Sequence, residues 1–149
     1  MAKAAVMLKQ GEGEKLEVMG AQVRFLCQPD KTDRGWSLME TVLPFNAGPP
    51  LHEHPWDEAY YVVDGDVRFT LGDKTTVFGA GDFIYAPAGT LHAFQGASPQ
   101  RPARVLVFDA PAAAEGFFRD AAREVKEMPR DLAKVPAIGE RHRIRFVRQ

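Results

Sequence analysis

The chain has 149 residues, 45% of them apolar and 26% charged, and its 19 basic residues nearly balance 20 acidic ones. This composition argues against disorder and predicts a single domain over 1–149. The net charge of -1 creates no field that would draw nucleic acid or an anionic membrane, so we expect a small-molecule partner. The lone Cys27 forms no internal disulfide, and no signal-peptide core or membrane-spanning apolar run is present, which together predict a cytoplasmic protein.

Turn residues recur every several positions from Gly20 to Pro111, and the stretches between them are rich in valine, phenylalanine and tyrosine. This pattern predicts an all-β barrel over about 20–110. Candidate strands are QVRFLCQ, WSLMETVLP, the alternating run EAYYVVDGDVRFTLGDKTTVF, DFIYAP, LHAFQG and ARVLVFDAP. Within the long run, the pairs Asp64-Gly65 and Gly72-Asp73 predict consecutive antiparallel hairpins.

After Pro111 the apolar spacing becomes that of a helix. Phe118, Ala121, Val125 and Met128 predict an amphipathic helix of about three turns, packed on the core, in a C-terminal tail over about 112–144. The last residues are basic, with arginines at Arg141, Arg143, Arg145 and Arg148. We expect them to form a solvated surface rather than a nucleic-acid site.

Two short segments carry three of the four histidines. In GPPLHEHPWDEAYYVVDG, His52 and His54 are two residues apart, so on a strand they point to the same face, and Glu58 shares that parity. The preceding glycine and prolines favour an extended backbone. In GDFIYAPAGTLHAFQG, a turn with proline and glycine leads into His92. Because an H-x-H pair alone is a weak signal, the second segment is what makes a shared site credible.

Together the two segments resemble the paired motifs of the cupin superfamily. The positions that correspond to the two motifs are His52, His54, Glu58 and Gly65 in the first, and Gly81, Pro87, Gly89 and His92 in the second. Two flanking positions depart from the family pattern: Asn46 stands where a glycine is usual, and Gly96 where an asparagine is usual. Neither is a ligand position, so the departures concern the neighbouring turns.

The resemblance implies a cupin double-stranded β-helix, a jelly-roll barrel, with a short C-terminal helix. It also implies that His52, His54, Glu58 and His92 hold one divalent transition metal ion. Three imidazoles and one carboxylate suit iron, manganese, nickel, copper or zinc, and the sequence does not select among them. On an octahedral ion, four protein ligands leave two positions for a substrate. A metal that only braces the barrel is the alternative.

Strand parity predicts the lining of the cavity near the metal. The expected pocket residues are Met39, Tyr60, Val62, Phe94 and Phe108. They would make the pocket apolar and aromatic, although core filling would explain the same residues. Asp57 has the opposite parity to Glu58 and is expected outside the barrel. Glu40 is a candidate general base only if its strand turns it inward, which would turn Met39 outward.

Within the superfamily, the chain most resembles small single-domain proteins similar to quercetin dioxygenase. This implies a dioxygenase-like oxidoreductase acting on a small enolic or phenolic substrate, with Glu58 as both ligand and catalytic residue. A non-catalytic binding protein and a metal-dependent isomerase stay open, because one fold serves many activities. A homodimer is also expected, in which KLEVMGAQVRFLCQ covers a sheet edge of the neighbouring subunit.

Overall fold

The computed structural model describes residues 3–147. Its strands are β1 (Lys15–Val18), β2 (Ala21–Cys27), β3 (Ser37–Leu43), β4 (His52–Glu53), β5 (Asp57–Asp64), β6 (Val67–Leu71), β7 (Lys74–Phe78), β8 (Phe83–Ala86), β9 (His92–Gly96), β10 (Ala103–Ala110) and β11 (Arg145–Phe146). Its helices are α1 (Glu115–Glu124) and α2 (Val135–Arg141), with 3-10 turns at Pro29–Thr32 and Arg130–Lys134. None of the described helices has the length and apolar character needed to cross a membrane.

The strands form two antiparallel sheets that enclose the core. The order is β1-β2-β3-β10-β5-β8 in the six-stranded sheet and β11-β4-β9-β6-β7 in the five-stranded sheet. Buried and more exposed residues alternate along β2, β3 and β10, because one face of each strand packs inside and the other faces out. The all-β jelly-roll fold with a short C-terminal helix is confirmed.

One of the two predicted hairpins is wrong. β6 and β7 do form a hairpin, and Leu71 pairs with Lys74 across the two-residue turn. β5 and β6, however, belong to different sheets. The chain turns a corner at Gly65, where φ is +77° and a Cβ would lie 2.7 Å from the Cα of Ala103. Alternation alone does not show which strand a segment pairs with, since both arrangements bury the same face.

The first C-terminal helix has about the predicted length, but it begins and ends earlier in the chain than the predicted apolar positions. α1 has ten residues and buries Phe117 and Ala121, whereas Met128 lies beyond its end and is half-exposed. The chain turns because the N–H groups of Lys126 and Glu127 both donate to the carboxylate of Asp131, at 2.9 Å each. The apolar spacing did not predict α2, which has Pro136 as its second residue. Proline is tolerated in the first helical turn, which is where it lies.

The chain then returns to the barrel. In β11, Arg145 pairs with Glu53 and Phe146 pairs with His52, so the C-terminal strand lies beside the strand that carries the first histidine. Arg145 is exposed and also forms an ion pair with Glu53 at 2.7 Å, which agrees with a solvated surface. Arg148 lies outside the described residues.

At the other end of the chain, β1 lies at the edge of the six-stranded sheet and pairs with β2 of its own chain. Pairing of this segment with a neighbouring subunit stays a prediction.

Candidate metal centre

Four ligand-type side chains converge where the two sheets meet. His52 on β4 is the direct partner of His92 on β9, and Glu58 lies on β5 of the opposite sheet. His54 follows β4 in the connection to β5, and all four residues are buried. One ligand atom from each of them lies within 4.8 Å of the other three. His52 and His92 are forty positions apart in the sequence, and the fold places them in one cluster with His54 and Glu58.

The three imidazoles are oriented by the same kind of hydrogen bond. Each ring places its Nδ1 against a backbone carbonyl two residues away: His52 on Pro50 at 2.7 Å, His54 on Trp56 at 3.0 Å and His92 on Thr90 at 2.8 Å. Because a carbonyl only accepts, each Nδ1 carries the hydrogen, and Nε2 of a neutral ring is left as an acceptor. Fixing Nδ1 in this way is how proteins orient metal-binding histidines.

The Nε2 atoms lack ordinary donors. Nε2 of His54 lies 2.5 Å from Oε1 of Glu58, and Nε2 of His92 lies 3.5 Å from the same oxygen. The buried Nε2 of His92 has no hydrogen-bond partner among the described residues. Two acceptor atoms at such a distance require a proton or a cation between them. The donor set, its burial and this unpartnered nitrogen fit a divalent transition metal ion.

The pKa values favour the protonation states that metal binding requires. Burial, followed by repulsion from His92, lowers the pKa of His52 to about 3. Burial alone would raise the pKa of Glu58, but its interactions with the nearby imidazoles of His54 and His92 outweigh burial and hold that pKa well below its usual range. The site thus favours a neutral His52 ring beside an ionised carboxylate, as metal ligation demands.

A small cavity of about 50 Å³ lies beside the cluster, and three of the four candidate ligands line it: His52, His54 and Glu58. Its walls are mainly apolar and include Phe94, Val107, Phe117 and Phe146, and the polar side chains besides the candidate ligands are Thr41 and the indole of Trp56. Trp56 is buried and stacks on His54 with ring centroids 4.1 Å apart. Trp56 and Thr41 were not predicted, although Trp56 shares the parity of His54 and Glu58.

The predicted pocket residues fall into three groups. Phe94 lines the cavity. Met39, Tyr60 and Val62 point inward but are fully buried in the core and do not line it. Phe108 was placed wrongly: it is 37% exposed and stacks on Trp36 outside the barrel, at 5.8 Å between centroids.

The register of β10 explains the misplacement of Phe108. Val107 is the partner of the buried Met39, so Val107 points inward and its neighbour in sequence points out. Glu40 likewise faces outward, where it contacts Arg24 at 3.2 Å, so it is no general base for this site. Asp57 is half-buried, accepts a hydrogen bond from Ala88 N–H at 2.8 Å and does not line the cavity.

Both departures from the motif pattern have a structural reason. Asn46 has φ of +63°, a left-handed conformation that asparagine adopts more readily than most residues, so it replaces the usual glycine. At Gly96 a Cβ would lie 2.4 Å from the carbonyl oxygens of both Leu43 and Pro44. No side chain fits there, so asparagine is excluded in this chain.

Tyr60 and Asp109 form a second layer behind Glu58. The hydroxyl of Tyr60 is buried without a hydrogen-bond partner among the described residues. Burial, with added repulsion from the negative charge of Glu58, raises the pKa of Tyr60 well above its usual value. Asp109 is the Cα partner of Glu58 across the sheet and is fully buried. The inward orientation of Asp109 follows from the register of β10, which local sequence alternation does not reveal.

Sequence comparisons find a matching domain family and one similar protein. A family model described as the cupin domain matches residues 39–109. An uncharacterized protein from Streptomyces coelicolor is 33% identical over 107 residues, which cover 72% of this chain and 95% of that protein.

Among solved structures, the polyketide cyclase RemF from Streptomyces resistomycificus has a TM-score of 0.65 at 23% identity, covering 72% of this chain and 80% of its own. An RmlC-like cupin from Shewanella frigidimarina has a TM-score of 0.65 at 17% identity, and the match covers 77% of this chain and 98% of that structure's chain. These two structures are similar in fold. The matching cupin domain model supports the cupin superfamily for residues 39–109, and the fold of both structures agrees with it.

Proposed function

We propose that the protein is a metal-dependent oxidoreductase of the dioxygenase type, acting on a small enolic or phenolic substrate that chelates the metal. The observation that carries the proposal is the buried set of His52, His54, Glu58 and His92 beside an apolar cavity. When bound there, a redox-active ion would supply electron transfer between a chelated substrate, which is oxidised, and dioxygen, which is reduced.

The lining of the cavity supports metal-centred chemistry over protein acid–base chemistry. Besides His52, His54 and Glu58, its described polar side chains are Thr41 and Trp56, and neither is a general base at neutral pH. An isomerase for a polar sugar would need several groups that bind hydroxyls and move protons. The apolar walls instead suit a substrate whose polar atoms are confined to the chelating end.

Individual residues would then have distinct tasks. The carboxylate of Glu58 has a low pKa and is ionised, so it is able to bind the metal and to accept a hydrogen bond from a substrate hydroxyl. Trp56 stacks on His54 and fixes the plane of that ring. The ring centroids of Phe117 and Phe146 lie 5.6 Å apart at the wall of the cavity, and these rings would limit the access of water.

A binding protein without turnover is the second candidate, because the same cavity and donor set would also hold a ligand that is never oxidised. A homodimer also stays part of the proposal, on the grounds of the exposed sheet edges.

Oxygen uptake separates enzyme from binder. We expect protein loaded anaerobically with Fe(II), Mn(II), Ni(II) or Cu(II) to consume dioxygen with a flavonol, a catechol or an enediol. Glu58→Gln should abolish uptake, whereas Glu40→Gln, on the outer face of β3, should leave it unchanged. Tight binding of these compounds without oxygen uptake for all four metals would reject the dioxygenase proposal and favour the binder.

A further inference from the structure

We infer that the apolar body of the ligand binds in a groove at the mouth of the barrel, outside the cavity that contains the candidate ligands. The inference rests on the proposed function, since it concerns the remainder of a molecule whose chelating end reaches the metal. It assigns the ligand class: an amphiphile with a compact chelating group and an uncharged apolar body.

The size of the cavity is the first reason. It measures about 50 Å³, whereas a cavity of about 150 Å³ is known to hold one benzene molecule. The space beside Glu58 therefore accepts a few ligand atoms and not a ring with its substituents. The neighbouring groove measures about 590 Å³, which lies within the usual range of roughly 300–1,000 Å³ for small-molecule sites.

The chemistry of the groove is the second reason. Its described lining contains no charged side chain, and Asn46 is its one polar side chain. Three of its apolar residues are large and open to solvent: Phe45 is 48% exposed, Met128 50% and Leu132 42%. Apolar side chains gathered at a concave surface indicate a binding site, because leaving them in water is unfavourable.

Continuity with the cavity is the third reason. Met19, Gly48 and Phe146 line both the groove and the cavity, so they form the boundary between the two. At Gly48 φ is +141° and a Cβ would lie 2.0 Å from the carbonyl oxygen of Phe94, so no larger residue fits at this point. The ring of Phe146 lies 5.4 Å from that of His52. A ligand in the groove thus has a short path to the candidate metal ligands.

The test uses catechols that carry methyl, butyl or octyl chains at position 4, titrated calorimetrically into metal-free protein and into protein loaded with redox-inactive Zn(II). We expect affinity to rise with chain length in both forms, by up to roughly fourfold for each methylene that is fully buried. Leu132→Glu and Met128→Glu should remove most of this rise. Val77→Glu, at a site on β7 that is 59% exposed and outside the groove, should leave it intact.

Affinity that does not depend on chain length, or an equal loss in Val77→Glu, would overturn the inference. Melting curves of all three variants check that the fold is retained, and two groove variants are used so that one failure to fold does not decide the result. The proposed function fails in a different way: chain-length dependence would persist while Zn(II) added nothing to catechol affinity, and that result would leave the groove site supported.

Discussion

Glu58 on β5 and Asp109 on β10 are direct partners in the six-stranded sheet, and both carboxylates are buried. Asp109 accepts hydrogen bonds from the hydroxyl of Ser37 and from the backbone N–H groups of Ala113 and Ala114, the latter at 3.0 and 3.1 Å. It thereby joins β3 to the residues just before α1. Glu58 faces imidazole rings whose hydrogens are already donated to backbone carbonyls.

Both carboxylates are buried, so their hydrogen-bonding partners are what distinguish the structural carboxylate of Asp109 from the candidate metal ligand Glu58. Burial raises the pKa of Asp109 despite its hydrogen bonds, whereas the imidazoles hold the pKa of Glu58 below its usual range. Asp109 has three donors and needs nothing further. The cluster around Glu58 has more acceptors than hydrogens, which fits the binding of a cation.

The largest expected effect is on metal binding. His92→Ala should abolish stoichiometric binding of a divalent transition metal, because it removes one of the four candidate ligands. Asp109→Ala should keep a stoichiometry of one, since Asp109 is no ligand. Metal analysis of both purified variants checks this contrast. Wild-type metal content in His92→Ala would show that the cluster is not the binding site.

The next effect is on stability. Asp109→Ala leaves the Ser37 hydroxyl and two N–H groups without their acceptor, and each buried unpaired group costs about 1–3 kcal/mol. We expect the free energy of unfolding to fall by about 3 kcal/mol in total. This corresponds to about 6–12 °C in melting temperature. Asp57→Ala, at a half-buried carboxylate, is the control. A loss no larger than in this control would contradict the structural role of Asp109.

Removing the metal should have a slightly smaller effect. An ion bound to the folded chain at about 100 times its dissociation constant adds roughly 2.7 kcal/mol, or about 5–10 °C for a domain of this size. Melting curves before and after dialysis against a chelator measure the difference. His92→Ala is the control and should show no shift. An unchanged curve for wild-type protein that has lost bound metal would argue against a site inside the barrel.

The smallest effect concerns the pH dependence of the metal-free protein. The pKa of His52 is about 3 in the folded chain, against about 6.5 when unfolded, so acid protonates the unfolded chain first and stability falls as pH falls from about 6.5 toward 3. Between pH 7 and 5 the loss from this residue should be about 2 kcal/mol. Urea unfolding at the two pH values, compared with His52→Gln, measures it. Identical pH dependence in the two proteins would contradict a buried neutral His52.

The sequence predicted the ligand cluster better than the cavity, for a physical reason. His52, His54 and Glu58 share one parity within a single short segment, and the second motif supplied His92, so no long-range register was needed. Phe108 required the register of β10 against β3, which local alternation does not contain. The predicted pairing of β5 with β6 across Gly65 was wrong for the same reason. Asp131, whose carboxylate ends the turn after α1, acts through backbone N–H groups that no spacing pattern reveals.

The claim that His52, His54, Glu58 and His92 bind one ion together is tested most directly by diffraction at a metal absorption edge. Crystals of protein purified without added metals or chelators, and then loaded with one equivalent of Mn(II) or Ni(II), would give an anomalous difference map. We predict a single strong peak among the three Nε2 atoms and the Glu58 carboxylate. A peak elsewhere, or none in this cluster when one equivalent is bound, would contradict the account.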